Sequence, residues 1–266
     1  MLIAQLSDPH IGVPGTLLYG RVDTADFLTR AVAEVSQLEP RPDIIVLTGD
    51  LVAIGEPPEY EYLRQILAPL PMPFFVIPGN HDAREPLRAA FRDDGYLPDE
   101  GFIQYVVEDY PLRLIALDTH IPGENGGLLC ADRLAWLDRT LAAAPDRPTL
   151  LMMHHPPFLT GIERMDKSGL DNAGAFAEVV ARHPQIERVL CGHLHRAIDR
   201  RFAGTVAGTA PSTAHQMRLS LTPGAPLRFM FEPPGYQLHL WQDGALVTHT
   251  AVIGDWPGPY SLRPTG

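Results

Sequence analysis

The chain predicts an α/β fold built largely on parallel strands, and three observations carry that prediction. Short apolar runs alternate with helically spaced apolar residues from Leu2 to Cys191, and five of the runs end in residues able to bind metal. After His195 the pattern changes to strand-like pieces, closing with Asp243-Gly244 between two alternating apolar runs, a strong hairpin signal.

Leu2 to Ser7 reads as a buried strand running into Asp8-Pro9-His10. Leu28, Ala31, Val32, Val35 and Leu38 then recur at helical spacing from about Thr24, and Pro40-Arg41-Pro42 ends that helix. Asp43 to Leu47 is the second strand, closing on Thr48-Gly49-Asp50. A helix opened by Pro57-Pro58 places Leu63, Ile66, Leu67 and Leu70 on one face, and Pro73 to Ile77 is a strand ending in Pro78-Gly79-Asn80-His81-Asp82. A helix near Glu85 to Arg92 follows, then strands at Phe102 to Glu108 and Leu112 to Leu117. A helix spans about Ala131 to Ala143, the next strand runs from Thr149 to Met153 into His154-His155-Pro156-Pro157, and Phe158 to Asn172 reads as a long loop. A helix near Ala175 to Arg182 leads to the strand Ile186 to Cys191.

The tail supplies strand-like pieces at Ile198 to Val206 and Met217 to Leu221 and the hairpin Tyr236 to Gln242 with Ala245 to Val252, which we place in a second, antiparallel sheet stacked on the first. Residues 1–252 form one domain on this reading, and 253–266, with Trp256-Pro257-Gly258-Pro259, an extended arm. Of the aromatic residues Phe229, Phe231, Tyr236 and Trp241, packing against the second sheet is the favoured use, an oligomer interface the alternative.

The chain carries 32 acidic residues against 21 basic ones, a net charge of −11, which argues against broad affinity for nucleic acid or an acidic membrane. A phosphate-bearing substrate therefore needs a local source of positive charge. The start shows no basic segment followed by a cleavable apolar one, and no apolar run approaches membrane-spanning length, so a cytoplasmic location is expected. Cys130 and Cys191 form no disulfide framework.

The polar residues at the strand ends are Asp8, His10, Asp50, Asn80, His81, His154, His193 and His195. In α/β sheets, ligands bind beyond the carboxyl ends of strands, so five such ends can meet in one crevice. Imidazole and carboxylate without thiolate select borderline divalent ions such as Mn, Fe, Co or Zn, and seven candidate ligands exceed the needs of one zinc. Two ions sharing a carboxylate fit the count. His193 and His195, at i and i+2, would in extended backbone point to one side.

Asp8-x-His10, Gly49-Asp50, Gly79-Asn80-His81-Asp82, His154-His155-Pro156-Pro157 and Gly192-His193-Leu194-His195 stand in the order and spacing of the binuclear metallophosphoesterase superfamily, which the chain resembles over most of its length. Leu18-Tyr19-Gly20-Arg21-Val22-Asp23, Met165-Asp166 and Pro211-Ser212-Thr213-Ala214-His215-Gln216 extend the likeness toward bacterial class III cyclic-nucleotide phosphodiesterases and glycerophosphodiesterases. Leu51-Val52 and Asp82 stand where protein phosphatases would carry Asp-Arg-Gly and a glutamate.

The resemblance implies a four-layer α/β/β/α sandwich with two mixed sheets, and a di-metal centre that generates a nucleophile from water and clamps the phosphate. It implies that Asp8, His10 and His195 hold one metal and Asn80, His154 and His193 the other. Asp50 would bridge them as a catalytic residue, and His81 would meet the phosphoryl oxygens. His155 is assigned beside the ligands rather than among them; Asn80, His81, Tyr19, Arg21 and His215 are candidates for contacting substrate. The implied activity is hydrolysis of small phosphodiesters by a homodimer or higher homo-oligomer, with no stable nucleic-acid or membrane partner. A nuclease, a broad phosphomonoesterase and a non-catalytic binding scaffold are the alternatives.

Overall fold

The computed structural model describes residues 1–262. In chain order the elements are β1 (Leu2–Leu6), α1 (Thr24–Ser36), β2 (Ile44–Leu47), α2 (Pro57–Leu67), β3 (Phe74–Val76), α3 (Arg84–Ala90), β4 (Tyr105–Val107), β5 (Arg113–Ala116), α4 (Ala131–Ala142), β6 (Thr149–Met152), α5 (Glu163–Asp166), α6 (Ala173–Ala181), β7 (Ile186–Cys191), β8 (Ile198–Phe202), β9 (Thr205–Thr209), β10 (Gln216–Met217), β11 (Phe229–Met230), β12 (Gly235–Gln242) and β13 (Ala245–Val252).

Two mixed sheets result. One runs β13-β12-β1-β2-β3, the other β4-β5-β6-β7-β9-β8, and β10 pairs with β11 in a small ribbon. β1, β2 and β3 are mutually parallel, as are β5, β6, β7 and β9, so within each sheet the carboxyl ends of these strands share one edge.

Period-two alternation in the second sheet shows how the layers stack. Leu114, Ala116, Leu150, Met152 and Leu190 join the core that holds β1, β2 and helices α1 to α3. Their neighbours Ile115, Leu151, Val189 and Cys191 turn the other way, onto Leu137 and Leu141 of α4 and Phe176, Val179 and Val180 of α6. Buried on both faces, these strands carry apolar residues at nearly every position, which is why they read as continuous runs. The arrangement is the four-layer α/β/β/α sandwich.

The sheets differ from expectation in membership. The Asp243-Gly244 hairpin is there, but it extends the first sheet: Leu2 pairs with Leu240 and Gln5 with Gln237, antiparallel. The second sheet is made from residues 105–209 instead. A hairpin signal specifies a local turn and says nothing about which sheet edge has unpaired backbone groups, and here that edge is β1. Met217 to Leu221 shortens to the two residues of β10, and the loop at 158–172 contains the short α5.

The four aromatics do not form one cluster. Tyr236 is buried and Trp241 packs against the same main core, whereas Phe229 lies in β11 and Phe231 beside it is exposed. Of the arm, Ile253 is buried and its N–H donates to Pro234 O; the described residues 254–262 form no helix or strand, and 263–266 lie outside the described residues. No helix among the described residues is long and apolar enough to cross a membrane.

His239 on β12 gives the fold a testable pH dependence. It is fully buried, with Nε2 3.0 Å from Gln5 Oε1 and Nδ1 2.9 Å from Thr248 Oγ1. Burial, aided by the Arg188 charge, lowers its pKa to about 3. A folded pKa below the unfolded value means that its stabilising contribution is complete above about pH 6.5 and is lost as pH falls toward 3, at about 1.4 kcal/mol per pH unit. His239→Gln should therefore be less stable than the wild type at pH 7.5 in urea titrations, with the gap closing between pH 6 and 4. A gap independent of pH would show that His239 does not titrate on unfolding.

Candidate metal centre

The loops that leave the parallel strands are zipped to one another. Beyond β1 and β2, Asp8 N donates to Gly49 O, His10 N to Asp50 O and Ile11 N to Leu51 O. Beyond β6 and β7, Met153 N donates to Leu190 O and Gly192 N to His154 O. The two sheets are then joined across the edge: Gln5 Nε2 donates to Cys191 O (3.0 Å), His154 Nδ1 to Thr48 O (2.8 Å), and His193 N to both oxygens of Asp8 (3.0 and 3.1 Å).

Close approach makes glycine obligatory at two points. A Cβ on Gly79 would strike the Asp50 carboxylate, and one on Gly192 would strike Thr48 O and the Ser7 hydroxyl. Asp8, His10, Asp50, His193 and His195 all adopt left-handed backbone, with φ of 52, 47, 48, 71 and 48°. Non-glycine residues in this region cost roughly 1–3 kcal/mol each and persist where packing overdetermines them, a pattern concentrated at functional sites.

This corrects the reading of Gly192-His193-Leu194-His195 as extended. β7 ends at Cys191, and the two histidines leave it through left-handed turns into different groups. The ligand atoms of Asp8, His10 and His195 lie within 4.8 Å of one another, with His10 Nε2 3.0 Å from His195 Nε2. Across the site, Asn80 Oδ1 is 3.1 Å from His154 Nε2 and 3.1 Å from His193 Nδ1. Asp50 sits between, Oδ2 3.6 Å from His10 Nε2 and Oδ1 3.3 Å from His154 Nε2.

The donor set fits cations. His154 has its Nδ1 proton on a carbonyl, which only accepts, so Nε2 is the atom turned toward two further acceptors, Asn80 Oδ1 and Asp50 Oδ1, and either a proton or a metal ion there satisfies them. His195 Nδ1 likewise donates to His215 O (2.9 Å), leaving its Nε2 lone pair facing His10. Buried acceptors at these separations repel unless something positive lies among them. Nitrogen and carboxylate oxygen without thiolate match borderline divalent ions. His155 falls outside this set: Thr119 Oγ1 is 2.8 Å from Nδ1 and Asn125 O is 3.1 Å from Nε2, so both nitrogens are engaged.

Titration follows the same crowding. Burial raises Asp8 to about 7, the nearby Asp50 charge adding to the rise and His154 opposing it. Burial also pushes Asp50 upward, but His154 and His10 outweigh it and hold Asp50 well below the usual carboxylate range. Burial acts to lower His154, yet Asp50 and Asp8 raise it to about 9, while burial brings His193 to about 3 and His195 to about 4.

A cavity of about 710 Å³ opens over this floor, lined by His10, Asp50, Asn80, His81, His193 and His195. His81 donates from Nδ1 to Ala53 O (2.7 Å), and its backbone N–H donates to Asp50 Oδ1 (2.9 Å). Of the residues read as contacting substrate, Tyr19 is half exposed on the cavity wall. Arg21 is exposed and is not among the lining residues. His215 is fully buried, its ring 4.6 Å from that of His195, so it backs the floor and does not reach the mouth.

The strand-end motifs did not point to several residues that hold the site. Asp82 takes Gly79 N–H (2.7 Å), Leu51 N–H (3.1 Å) and the Tyr60 hydroxyl (2.9 Å), fixing the loop that carries Asn80 and His81. Asp118, fully buried, grips Arg84 through two bonds of 2.6 and 2.9 Å and ties that loop to the end of β5. Ser168 donates to Met165 O (3.1 Å) and receives His193 Nε2–H (3.0 Å), leaving His193 Nδ1 free toward Asn80. Asp118, at a sixth strand end, was open to the same reasoning that found the others.

A four-layer sandwich with an N/O-donor crevice at its strand ends defines the class: a metal-dependent hydrolase of phosphoric esters. The calcineurin-like phosphoesterase family model matches residues 1–197, and the chain belongs to that family. It is 37% identical to the probable glycerophosphodiester phosphodiesterase GpdQ of Arcobacter nitrofigilis, over 98% of this chain and 96% of the relative. It is 35% identical to the 3',5'-cyclic adenosine monophosphate phosphodiesterase CpdA of Pseudomonas aeruginosa, over 96% of this chain and 91% of the relative. Among solved structures, a dimetal phosphatase from Danio rerio shares the fold at a TM-score of 0.63 and 14% identity, covering 96% of this chain and 99% of that one.

If divalent ions bind here, they displace protons from Asp8 and His154, whose pKa values of about 7 and 9 straddle neutrality. Deprotonation is needed for binding, so Mn²⁺ affinity should rise steadily from pH 6 to pH 9, with net proton release. Calorimetry in buffers of different ionisation enthalpy measures both. Affinity independent of pH, without proton release, would remove these two residues from the ion sites.

Proposed function

We propose that the protein hydrolyses small phosphodiesters, 3',5'-cyclic nucleotides and glycerophosphodiesters among them, at a centre of two divalent ions. The observation that carries this reading is Asp50. Its two oxygens face two separate groups of ligand atoms, Oδ2 toward His10 and Oδ1 toward His154. Asp8, His10 and His195 would hold one ion, Asn80, His154 and His193 the other, and Asp50 both. Such a pair supplies Lewis acidity toward the phosphate and lowers the pKa of water. The ions also give an acidic protein the local positive charge that docking a phosphate requires.

The protein's own groups divide the remaining work. His81 has its Nδ1 proton committed to Ala53 O, so Nε2 is the atom that meets a ligand in the cavity. There it holds a phosphoryl oxygen or gives a proton to the departing alkoxide. The backbone N–H of His81 on Asp50 Oδ1 keeps that imidazole in register with the bridging carboxylate. Asn80, paired with His154 and His193, brings its amide beside the same phosphate. Tyr19, its ring stacked on Phe229 at 5.3 Å, walls the entrance. Cyclic-nucleotide and glycerophosphodiester substrates are supported by relatives named for each. Self-association is supported by the exposed apolar residues Leu219, Leu221, Met230 and Phe231 around β10 and β11.

The reading is tested by turnover of cyclic AMP, glycerophosphoethanolamine, an aryl diester and an aryl monoester with metal-reconstituted enzyme. Diesters should be preferred; a large monoester preference would overturn the assignment. Asp50→Ala should abolish hydrolysis and weaken both ions. His81→Ala should lower kcat by roughly 10²–10⁴-fold with metal retained. Metal loss in His81→Ala would instead make His81 a ligand.

A further inference from the structure

Lys167 is the one lysine of the chain, and it lines the metal cavity together with Arg164. Both project from α5 or its C-cap, which is fixed relative to the floor. Asp166 accepts from Thr160 N (2.8 Å), Thr160 Oγ1 (2.7 Å) and Gly161 N (2.9 Å), and Ser168 bonds to His193. Glu163 accepts from Gly224 N (2.6 Å), joining α5 to the segment that precedes β11. The two cations therefore stand on a braced support, at a set place above the candidate ligands.

Neither cation is locked into a buried ion pair. The Arg164 guanidinium makes no hydrogen bond or ion pair among the described residues, and Lys167 pairs with Glu163 alone, at 2.9 Å, with side chains 65% and 46% exposed. An exposed i,i+4 pair is weak and exchanges readily for another anion. In a protein of net charge −11, Arg164 and Lys167 place two cations at the wall of this cavity, while their neighbours Glu163 and Asp166 are held by Gly224 N and by Thr160 and Gly161. The reacting phosphate is met by the floor and by His81, which leaves Arg164 and Lys167 for a second negative group. Glu124 lines the same cavity.

Resting on the phosphodiesterase reading above, we infer that the preferred substrates are phosphodiesters whose alcohol carries a second anionic group, carboxylate or phosphate, read by Arg164 and Lys167 as specificity-determining residues.

Glycerophosphoserine and glycerophosphoethanolamine differ by one carboxylate and form the test pair. With the metal-reconstituted enzyme at low ionic strength, the serine ester should have the higher kcat/KM. Arg164→Gln and Lys167→Gln should each reduce the serine-to-ethanolamine ratio by about threefold and the double variant by about tenfold, through KM. Lys167→Arg should keep the ratio, and raising salt should erode it in the wild type and in Lys167→Arg but not in the double variant. Cleavage of both esters without preference, or a ratio unchanged in the double variant, overturns this inference and leaves the diesterase reading intact. Cleavage of neither ester alongside rapid aryl monoester hydrolysis overturns both.

Discussion

At the base of the cavity, atoms able to hold a metal crowd against one another. His154 Nε2 and Asn80 Oδ1 stand 3.1 Å apart with Asp50 beside them, and His10 Nε2 and His195 Nε2 stand 3.0 Å apart beside Asp8. Such an arrangement is unfavourable without positive charge among the donors, and it is buried, so water offers little relief. The rest of the structure can be understood as what holds these groups in place: left-handed backbone at five of the candidate ligands, glycines that let strand-end loops touch, and hydrogen bonds that orient three of the four candidate imidazole ligands. The carbonyls of Thr48 and His215 and the hydroxyl of Ser168 perform the last task for His154, His195 and His193.

Stacking two sheets face to face, with their strand ends at one side, is what allows so many ligands to meet. A single sheet offers strand ends in a row, spaced by the separation of strands, and only neighbours can share an ion. Here the ends of β1, β2 and β3 oppose those of β6 and β7, so each group of ligand atoms draws on both sheets: Asp8 and His10 with His195, Asn80 with His154 and His193. Asp8 also accepts His193 N–H, so a ligand from one sheet positions the backbone of a ligand from the other. The burial that raises the Asp8 pKa also rigidifies it.

What was legible in the sequence follows the same division. Strand ends announce themselves, because a fully buried strand must be apolar throughout and an abrupt Asp, Asn or His after it has no packing reason to be there. That signal found Asp8, Asp50, Asn80, His154 and His193, and the same apolar runs placed the helices within a few residues. It could not show that β12 and β13 extend the first sheet, since pairing depends on which edge is open in three dimensions. Nor could it place His215: nothing local distinguishes a histidine at a cavity mouth from one buried behind two others. Ser168 acts through its bond to His193 and Asp82 through bonds to Leu51 and Tyr60, contacts of 22 to 31 residues in sequence that no periodicity records.

Floor and wall of the cavity are built on different terms. Every candidate ligand on the floor is within a few residues of a parallel strand, and all but the half-buried Asn80 are buried. The walls come from the 123–127 loop, α5 and the segment leading to β11, which hang from the sandwich by contacts such as Ser168 on His193, Asn125 on His155 and Gly224 on Glu163. Exposed wall residues such as Glu124, Arg164 and Lys167 can change without affecting the packing that holds the ligands. On the function proposed, the chemistry of phosphate attack belongs to the strand ends and the choice of alcohol to three loops, and a fold divided this way can keep one reaction while shifting among substrates.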